Sequence, residues 1–253
     1  MIPKIIHYVW VGGNPLTPLA KRCIDTWRQF CPNYEIKCWD ESSFDISSND
    51  YCRQAYESRK WAFVSDYIRL KVLYEYGGVY MDTDVEVTKS LDEFLTHHAF
   101  SGFEDDEHIP TGIMASESGN VWIKELLADY DNRKFVLPNG EFDLTTNVYA
   151  ITNITKRMYP ELKLNNTYQD LGSVVFYPKD YFCPISYTTK ELNMTNNTHT
   201  IHHFSGSWVE KPKGWKKFKI KFKCFVARII GKKNTQRYIE YKKHKRERKN
   251  LKW

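Results

Sequence analysis

Gly77-Gly78 is a pair at which a helix is expected to end, and what flanks it fixes the first fold decision of this chain. Residues 51–76 read as one helical stretch. The glycines end it, because glycine enters the left-handed backbone of a helix C-cap at little cost. Val79, Met81, Thr83, Val85 and Val87 then alternate with Tyr80, Asp82, Asp84 and Glu86, the period of two that sorts residues onto opposite faces of a strand. Helix, glycine turn and strand in succession are a unit of an α/β sheet with parallel strands.

The flanking sequence repeats the theme. Residues 5–11 form a nearly continuous apolar run ending at Gly12-Gly13, a buried strand feeding a loop. Thr17-Pro18 reads as an N-cap with proline at the first helical position, and the helix runs to Phe30, stopped by Pro32. Residues 34–39 alternate as a second strand. Further strands are expected at 99–103, 112–115, 174–177 and 200–204, and helices at 120–131 and 146–158.

Two carboxylates, Asp82 and Asp84, fall at the end of the strand that follows Gly77-Gly78. A chain of this size contains roughly one Asp-x-Asp by chance, so the pair by itself reads as a solvated turn. Its position changes the reading, because strand ends in open α/β sheets are where ligands bind. Extended backbone would aim both carboxylates at a hard cation, Mn²⁺ or Mg²⁺. Upstream, Asp66 and Arg69 are spaced i, i+3 and share a helix face. The plain alternative is a weak surface ion pair. The functional one is a guanidinium and a carboxylate offered to a hydroxylated ligand, with Ser65 beside them. A third cluster, His202-His203-Phe204-Ser205-Gly206-Ser207-Trp208, adds imidazoles suited to Mn²⁺ or Zn²⁺. No cysteine stands near it at finger spacing.

Taken in order, these segments resemble one family. Ile2-Pro3-Lys4-Ile5-Ile6-His7-Tyr8-Val9-Trp10, Tyr34-Glu35-Ile36-Lys37-Cys38-Trp39-Asp40 and residues 62–84 are similar to glycosyltransferase family 32. That group spans initiating mannosyltransferases, α-galactosyltransferases and bacterial capsular polysaccharide enzymes, and shares its DXD region with clostridial glucosylating toxins. The resemblance is dense over 1–115 and returns at 199–208. It implies a GT-A fold: a Rossmann-like α/β nucleotide-sugar transferase domain with a mixed sheet flanked by helices. It implies a metal-dependent hexosyltransferase that retains anomeric configuration. Val9 and Trp10 would lie against the base. Asp66 and Arg69 would hold sugar hydroxyls, and Tyr80 and Asp82 would contact ribose and sugar. Asp84 would bind the metal with Asp82, and His203, preferred over His202, would be the late metal ligand. Ser207 and Trp208 would close over the diphosphate. The catalytic set is thus Asp66, Arg69, Asp82 and Asp84, with Mn²⁺ or Mg²⁺ as cofactor. A front-face displacement is expected; a double displacement through Glu104, Asp105 or Asp106 is the alternative.

Charge divides the chain. Residues 209–253 hold 18 Lys/Arg against 3 Asp/Glu, a net of +15, so that with +6 overall residues 1–208 carry −9. A catalytic domain over 1–208 and a basic C-terminal tail over 209–253 are expected. The tail interleaves cations with Trp215, Phe218, Phe222 and Phe225, which suits an anionic membrane surface; a solvated end is the plainer alternative. Nucleic acid is not expected as a partner, because the body is acidic and no nucleic-acid motif is present. No apolar run reaches 18 residues and no leader is evident. The six cysteines form no CxxC pair and are expected to be reduced. These readings place the protein in the cytoplasm, peripheral on the inner face of the cell membrane.

The expected reaction moves a hexose from a nucleotide sugar, UDP-galactose or UDP-glucose first, to a saccharide or glycolipid acceptor in bacterial surface polysaccharide synthesis. GDP-mannose is the main alternative donor. A silent sugar-nucleotide or nucleic-acid binding protein and a metal-dependent phosphotransferase are the competing classes.

Overall fold

The computed structural model describes residues 1–109, 112–187 and 189–206. Met1–Ile185 and residues 193–206 belong to one compact unit; Ser186–Leu192 falls outside it. The boundary expected at 208/209, Ser207, Trp208 and the basic tail lie outside the described residues. No helix among the described residues is long and apolar enough to cross a membrane.

The first half builds a parallel sheet. Strand β1 (Ile5–Val9) pairs in parallel with β2 (Glu35–Trp39) on one side and β3 (Gly78–Met81) on the other. Helix α1 (Pro18–Phe30) makes the first crossover, with Thr17 Oγ1 accepting from Ala20 N at 3.1 Å. Two helices make the second, α2 (Asp50–Glu57) and α3 (Trp61–Tyr76). The single helix expected over 51–76 is therefore broken. Arg59 takes φ +55° between the two pieces, a left-handed conformation that no glycine or proline announces.

The strand expected to run from Val79 to Val87 also breaks. After β3 the chain turns at Asp82, where Val85 N donates to Asp82 O at 2.9 Å. It resumes as β4 (Val85–Val87), which leaves the large sheet and pairs antiparallel with β9 (Thr200–His202). The remaining strands are β5 (Ala99–Gly102), β6 (Ile113–Ser116), β7 (Gln169–Asp170) and β8 (Val175–Tyr177). The large sheet runs β2-β1-β3-β6-β5-β8-β7, mixed because β3–β6, β5–β6 and β7–β8 are antiparallel. Helices α4 (Val121–Ala128), α5 (Asn147–Met158) and the single turn α6 (Lys179–Phe182) follow.

Apolar side chains fill both faces of the sheet. Val79 and Met81 pack with Ile24, Trp27, Val85 and Phe100. Tyr80, on the opposite face, packs with Val64, Ile68, Leu73 and Trp122. Trp27 joins the two sheets by donating its Nε1–H to Val85 O at 2.7 Å.

The strand-entry glycines have a steric reason to be glycine. Gly78 has φ +108°, and a Cβ there would lie 2.7 Å from Ile5 O and 2.9 Å from His7 Nε2. His7 is fully buried: Nε2–H donates to Gly77 O at 2.7 Å, and Nδ1 accepts from Trp39 Nε1 at 3.1 Å. Those roles require a neutral ring, and burial pushes its pKa down to about 4.

Two outcomes follow for stability. Gly78→Ala should cost at least about 2 kcal/mol from backbone strain and crowding, read as a lower denaturant midpoint at unchanged slope. For His7, the unfolded ring takes its proton from about pH 6.5 downward and the folded ring near 4. Its contribution is therefore complete above 6.5, falls as the pH drops towards 4 and levels off below, a loss on the order of 3 kcal/mol. Urea titrations from pH 7 to 4 should show a steeper decline for the wild type than for His7→Gln.

Candidate active site

The centre of the site is a buried cation. Arg69 on α3 is 3% exposed, and its Nη2 lies 3.0 Å from Asp66 Oδ1 and 3.2 Å from Asp82 Oδ1. The guanidinium carbon sits 4.5 Å from the centre of the Tyr80 ring, and Tyr80 OH donates to Asp82 Oδ1 at 2.9 Å. Nε donates to the Ser65 carbonyl at 3.2 Å and Nη2 to Ser65 Oγ at 3.3 Å. Helix α3 can hold these polar groups inside the protein because they satisfy one another, a requirement for burying charge.

This packing moves the charges. Burial raises Asp66 to about 6 despite the neighbouring Arg69, and raises Asp82 against the same pull. Burial works against a charged Arg69, but Asp82, Tyr80 and Asp66 outweigh it and hold the guanidinium more firmly protonated than usual.

Asp82 sits one residue past β3, with its N–H donating to Gly112 O at 2.9 Å. Asp84 lies across the turn. Its Oδ2 accepts from Ser205 N at 2.7 Å, and its carbonyl accepts from His203 N at 3.0 Å. Burial opposes its ionisation, yet His202 and the Ser205 amide keep the carboxyl well below the usual range.

The imidazole at the aspartates belongs to His202. Its Nε2 is 3.3 Å from Asp84 Oδ1, and Asp82, Asp84 and His202 each offer an atom within 4.8 Å of the others. The preference for His203 is thereby corrected: its Nε2 pairs with Glu86 Oε2 at 2.8 Å. His202 is paired with Val85 in the β4–β9 ladder, and the next residue points elsewhere. Asp84 Oδ1 and His202 Nδ1 are buried and make no hydrogen bond of good geometry, Oδ1 meeting His202 Nε2 only as the 3.3 Å ion pair. A buried carboxylate oxygen with no well-formed hydrogen bond, beside a second carboxylate and an imidazole, fits a divalent cation. The mixed oxygen and nitrogen donors suit Mn²⁺ at least as well as Mg²⁺.

Beside Asp82 opens a cavity of about 290 Å³, lined by Val9, Trp10, Val11, Asn14, Pro15, Thr17, Trp61, Ala62, Ser65, Tyr80, Asp82 and Thr83. It brings together Val9, Trp10, Ser65, Tyr80 and Asp82 from the sequence expectations. Trp10 is steadied by its Nε1–H donating to Asn14 O at 2.6 Å. Trp61 was not singled out from the sequence. It packs against Gly12, where a Cβ would fall 2.7 Å from its ring, so the Gly12 loop and α3 meet at this wall. Asn147, at the start of α5, was also missed; its Nδ2 donates to Asp66 Oδ1 at 3.0 Å. An asparagine beginning a helix reads in sequence as capping, and nothing local ties it to Asp66. Asp105 is committed to its own loop, accepting from Glu107 N and His108 N.

Residues 18–101 match the family described as "Glycosyltransferase sugar-binding region containing DXD motif". Over 156 residues the chain is 29% identical to inositol phosphoceramide mannosyltransferase 3 of Schizosaccharomyces pombe, covering 59% of this chain and 42% of that protein. Over 104 residues it is 31% identical to the uncharacterized glycosyltransferase L373 of Acanthamoeba polyphaga mimivirus, covering 38% and 40%. The chain thus spans less than half the length of these two relatives. Among solved structures it is similar to "PaToxG Glycosyltransferase", with a TM-score of 0.47, 19% identity and coverage of 63% of this chain and 70% of that one. The structure has the α/β architecture expected from the sequence, a mixed sheet flanked by helices, with Asp82-x-Asp84 following the end of β3.

The aspartate and histidine geometry makes a direct forecast. Mn²⁺ affinity, read by calorimetry or by the loss of free-ion paramagnetic signal, should fall at least about tenfold in Asp84→Asn and in His202→Ala. It should stay near wild type in His203→Ala. Equal losses in both histidine variants would overturn the choice of His202.

Proposed function

We propose, for a chain whose residues 18–101 match the DXD-containing glycosyltransferase sugar-binding region, that this site transfers a hexose from a nucleoside diphosphate sugar to a saccharide acceptor with retention of configuration. The observation that carries the proposal is the adjacency of two chemistries. A cation-fitting trio, Asp82, Asp84 and His202, stands beside a polyol-fitting clamp, Asp66 and Arg69, and Asp82 belongs to both. The cavity reaching Trp10 gives the donor's base a wall to lie on.

Asp82, Asp84 and His202 would hold a divalent ion, which when bound would supply Lewis-acid stabilisation of the charge that develops on the diphosphate. Arg69 and Asp66 orient the sugar by hydrogen bonds to its hydroxyls. Tyr80 and Ser65 keep the guanidinium from turning. The bond between the anomeric carbon and the phosphate oxygen breaks, and the acceptor oxygen bonds to the same face of that carbon. The acceptor's proton passes to the departing phosphate oxygen. Asp66 and Asp82 are both engaged by Arg69, which favours this direct displacement over a covalent sugar–enzyme intermediate.

UDP-galactose and UDP-glucose are the first donors to test. GDP-mannose is the second reading, favoured by the mannosyltransferase relative. A lipid-linked acceptor and an anionic membrane surface suit the basic 209–253 segment. The working arrangement is a catalytic unit over 1–208 acting peripherally at a membrane in surface polysaccharide synthesis. A screen of nucleotide sugars for Mn²⁺-dependent release of the nucleoside diphosphate tests the class; no turnover of any sugar nucleotide in Mn²⁺ or Mg²⁺ would overturn it.

Arg69→Lys keeps the charge but loses the planar fork. Turnover should drop on the order of a hundredfold, while free nucleoside diphosphate should bind within a few-fold of wild type. Equal losses in both would assign Arg69 to the phosphates or to the fold.

A further inference from the structure

Asp66 does not stand with Arg69 alone. Its Oδ1 accepts from Arg69 Nη2 at 3.0 Å and from Asn147 Nδ2 at 3.0 Å. The second donor comes from α5, 81 residues further along the chain. Asn147 is 7% exposed, and its Oδ1 is buried with no hydrogen-bond partner. The amide cannot be turned the other way without placing its oxygen against the Asp66 carboxylate. The donor end is therefore used and the acceptor end is left over. Leaving a buried carbonyl unpaired is unfavourable, and such a group in a binding site is satisfied when ligand arrives.

Resting on the reading of the site as a sugar-nucleotide pocket, we propose that Asn147 is a specificity-determining residue: Nδ2 holds Asp66 in place while Oδ1 accepts a hydrogen bond from a hydroxyl of the transferred hexose. Nδ2 and Oδ1 share one carbon, so the acceptor lies within reach of the polyol that Asp66 binds. Neighbouring hydroxyls of a pyranose supply the two donors that a carboxylate and an adjacent amide carbonyl need. Hexoses differ in the direction of single hydroxyls. A carbonyl that demands a donor at one point therefore discriminates among them, because the wrong epimer leaves it unpaired.

The test compares binding of UDP, UDP-glucose, UDP-galactose, GDP and GDP-mannose in Mn²⁺ for wild type, Asn147→Ala and Asn147→Ser, by calorimetry on the full chain. Thermal unfolding of each variant confirms that it is folded. The expected result is a loss of roughly tenfold or more for the preferred sugar nucleotide, unchanged affinity for the matching free diphosphate, and a narrowed gap between epimers. Asn147→Ser should recover part of the affinity, since its hydroxyl offers an acceptor from a shorter side chain. If wild type prefers one sugar nucleotide and both variants keep that affinity and preference, Asn147 is structural, and the wider reading survives. Equal losses for sugar nucleotide and free diphosphate would likewise remove Asn147 from the sugar. If wild type binds no sugar nucleotide more tightly than the free diphosphate, the sugar-nucleotide reading of the pocket fails, and the inference with it.

Discussion

The Arg69 guanidinium, buried between Asp66 and Asp82 with its face on Tyr80, is the interaction on which the rest of the site depends. It ties α3 to the end of β3. Removing either side would strand a charge in the interior, at a cost of about 3–5 kcal/mol. Arg69, Asp66 and Asp82 therefore hold one another in place before any ligand arrives. A site assembled this way loses little freedom when a ligand binds, which is the physical meaning of preorganisation.

The second constraint is the turn at Asp82. Had β3 continued as one strand, Asp84 would have stayed in the large sheet. Instead the chain turns and β4 pairs with β9, which brings the His202 imidazole to the aspartates. Gly112 makes room for it, since a Cβ there would lie 2.8 Å from His202 Nδ1. Two sheets thus contribute to one group of atoms able to hold a cation, and the Trp27 bond to Val85 O ties α1 to β4.

Much of this was legible because the signals were local. Pro18 after Thr17, the Gly77-Gly78 stop and the alternation through Val79–Met81 each act within a few residues, and the sheet they build follows. The features that were not legible depend on distant partners. Arg59 takes a left-handed conformation with no glycine to advertise it. The alternation of residues 79–87 continues in sequence past the point where Gly112 O captures Asp82 N and the strand ends. Adjacent histidines at the end of β9 carry no sign of which faces inward until the register with Val85 is known. Strand β7 has two residues and α6 four, too few for any periodicity to show. Asn147 reaches Asp66 only through the tertiary packing of α5.

The β4–β9 pair has a consequence for the order in which the protein matures. Asp82 and Asp84 lie in the first third of the chain and His202 near residue 200, so the candidate cation-binding trio closes a loop of more than a hundred residues. Contacts of that span form late, because their entropy cost is met only after much of the intervening chain is in place. A nascent chain that has emerged through β6 already carries both aspartates and the Arg69 clamp but lacks the imidazole. Capture of a divalent ion would then report that β9 has docked, and the ion's binding energy would add to the folded state from that moment.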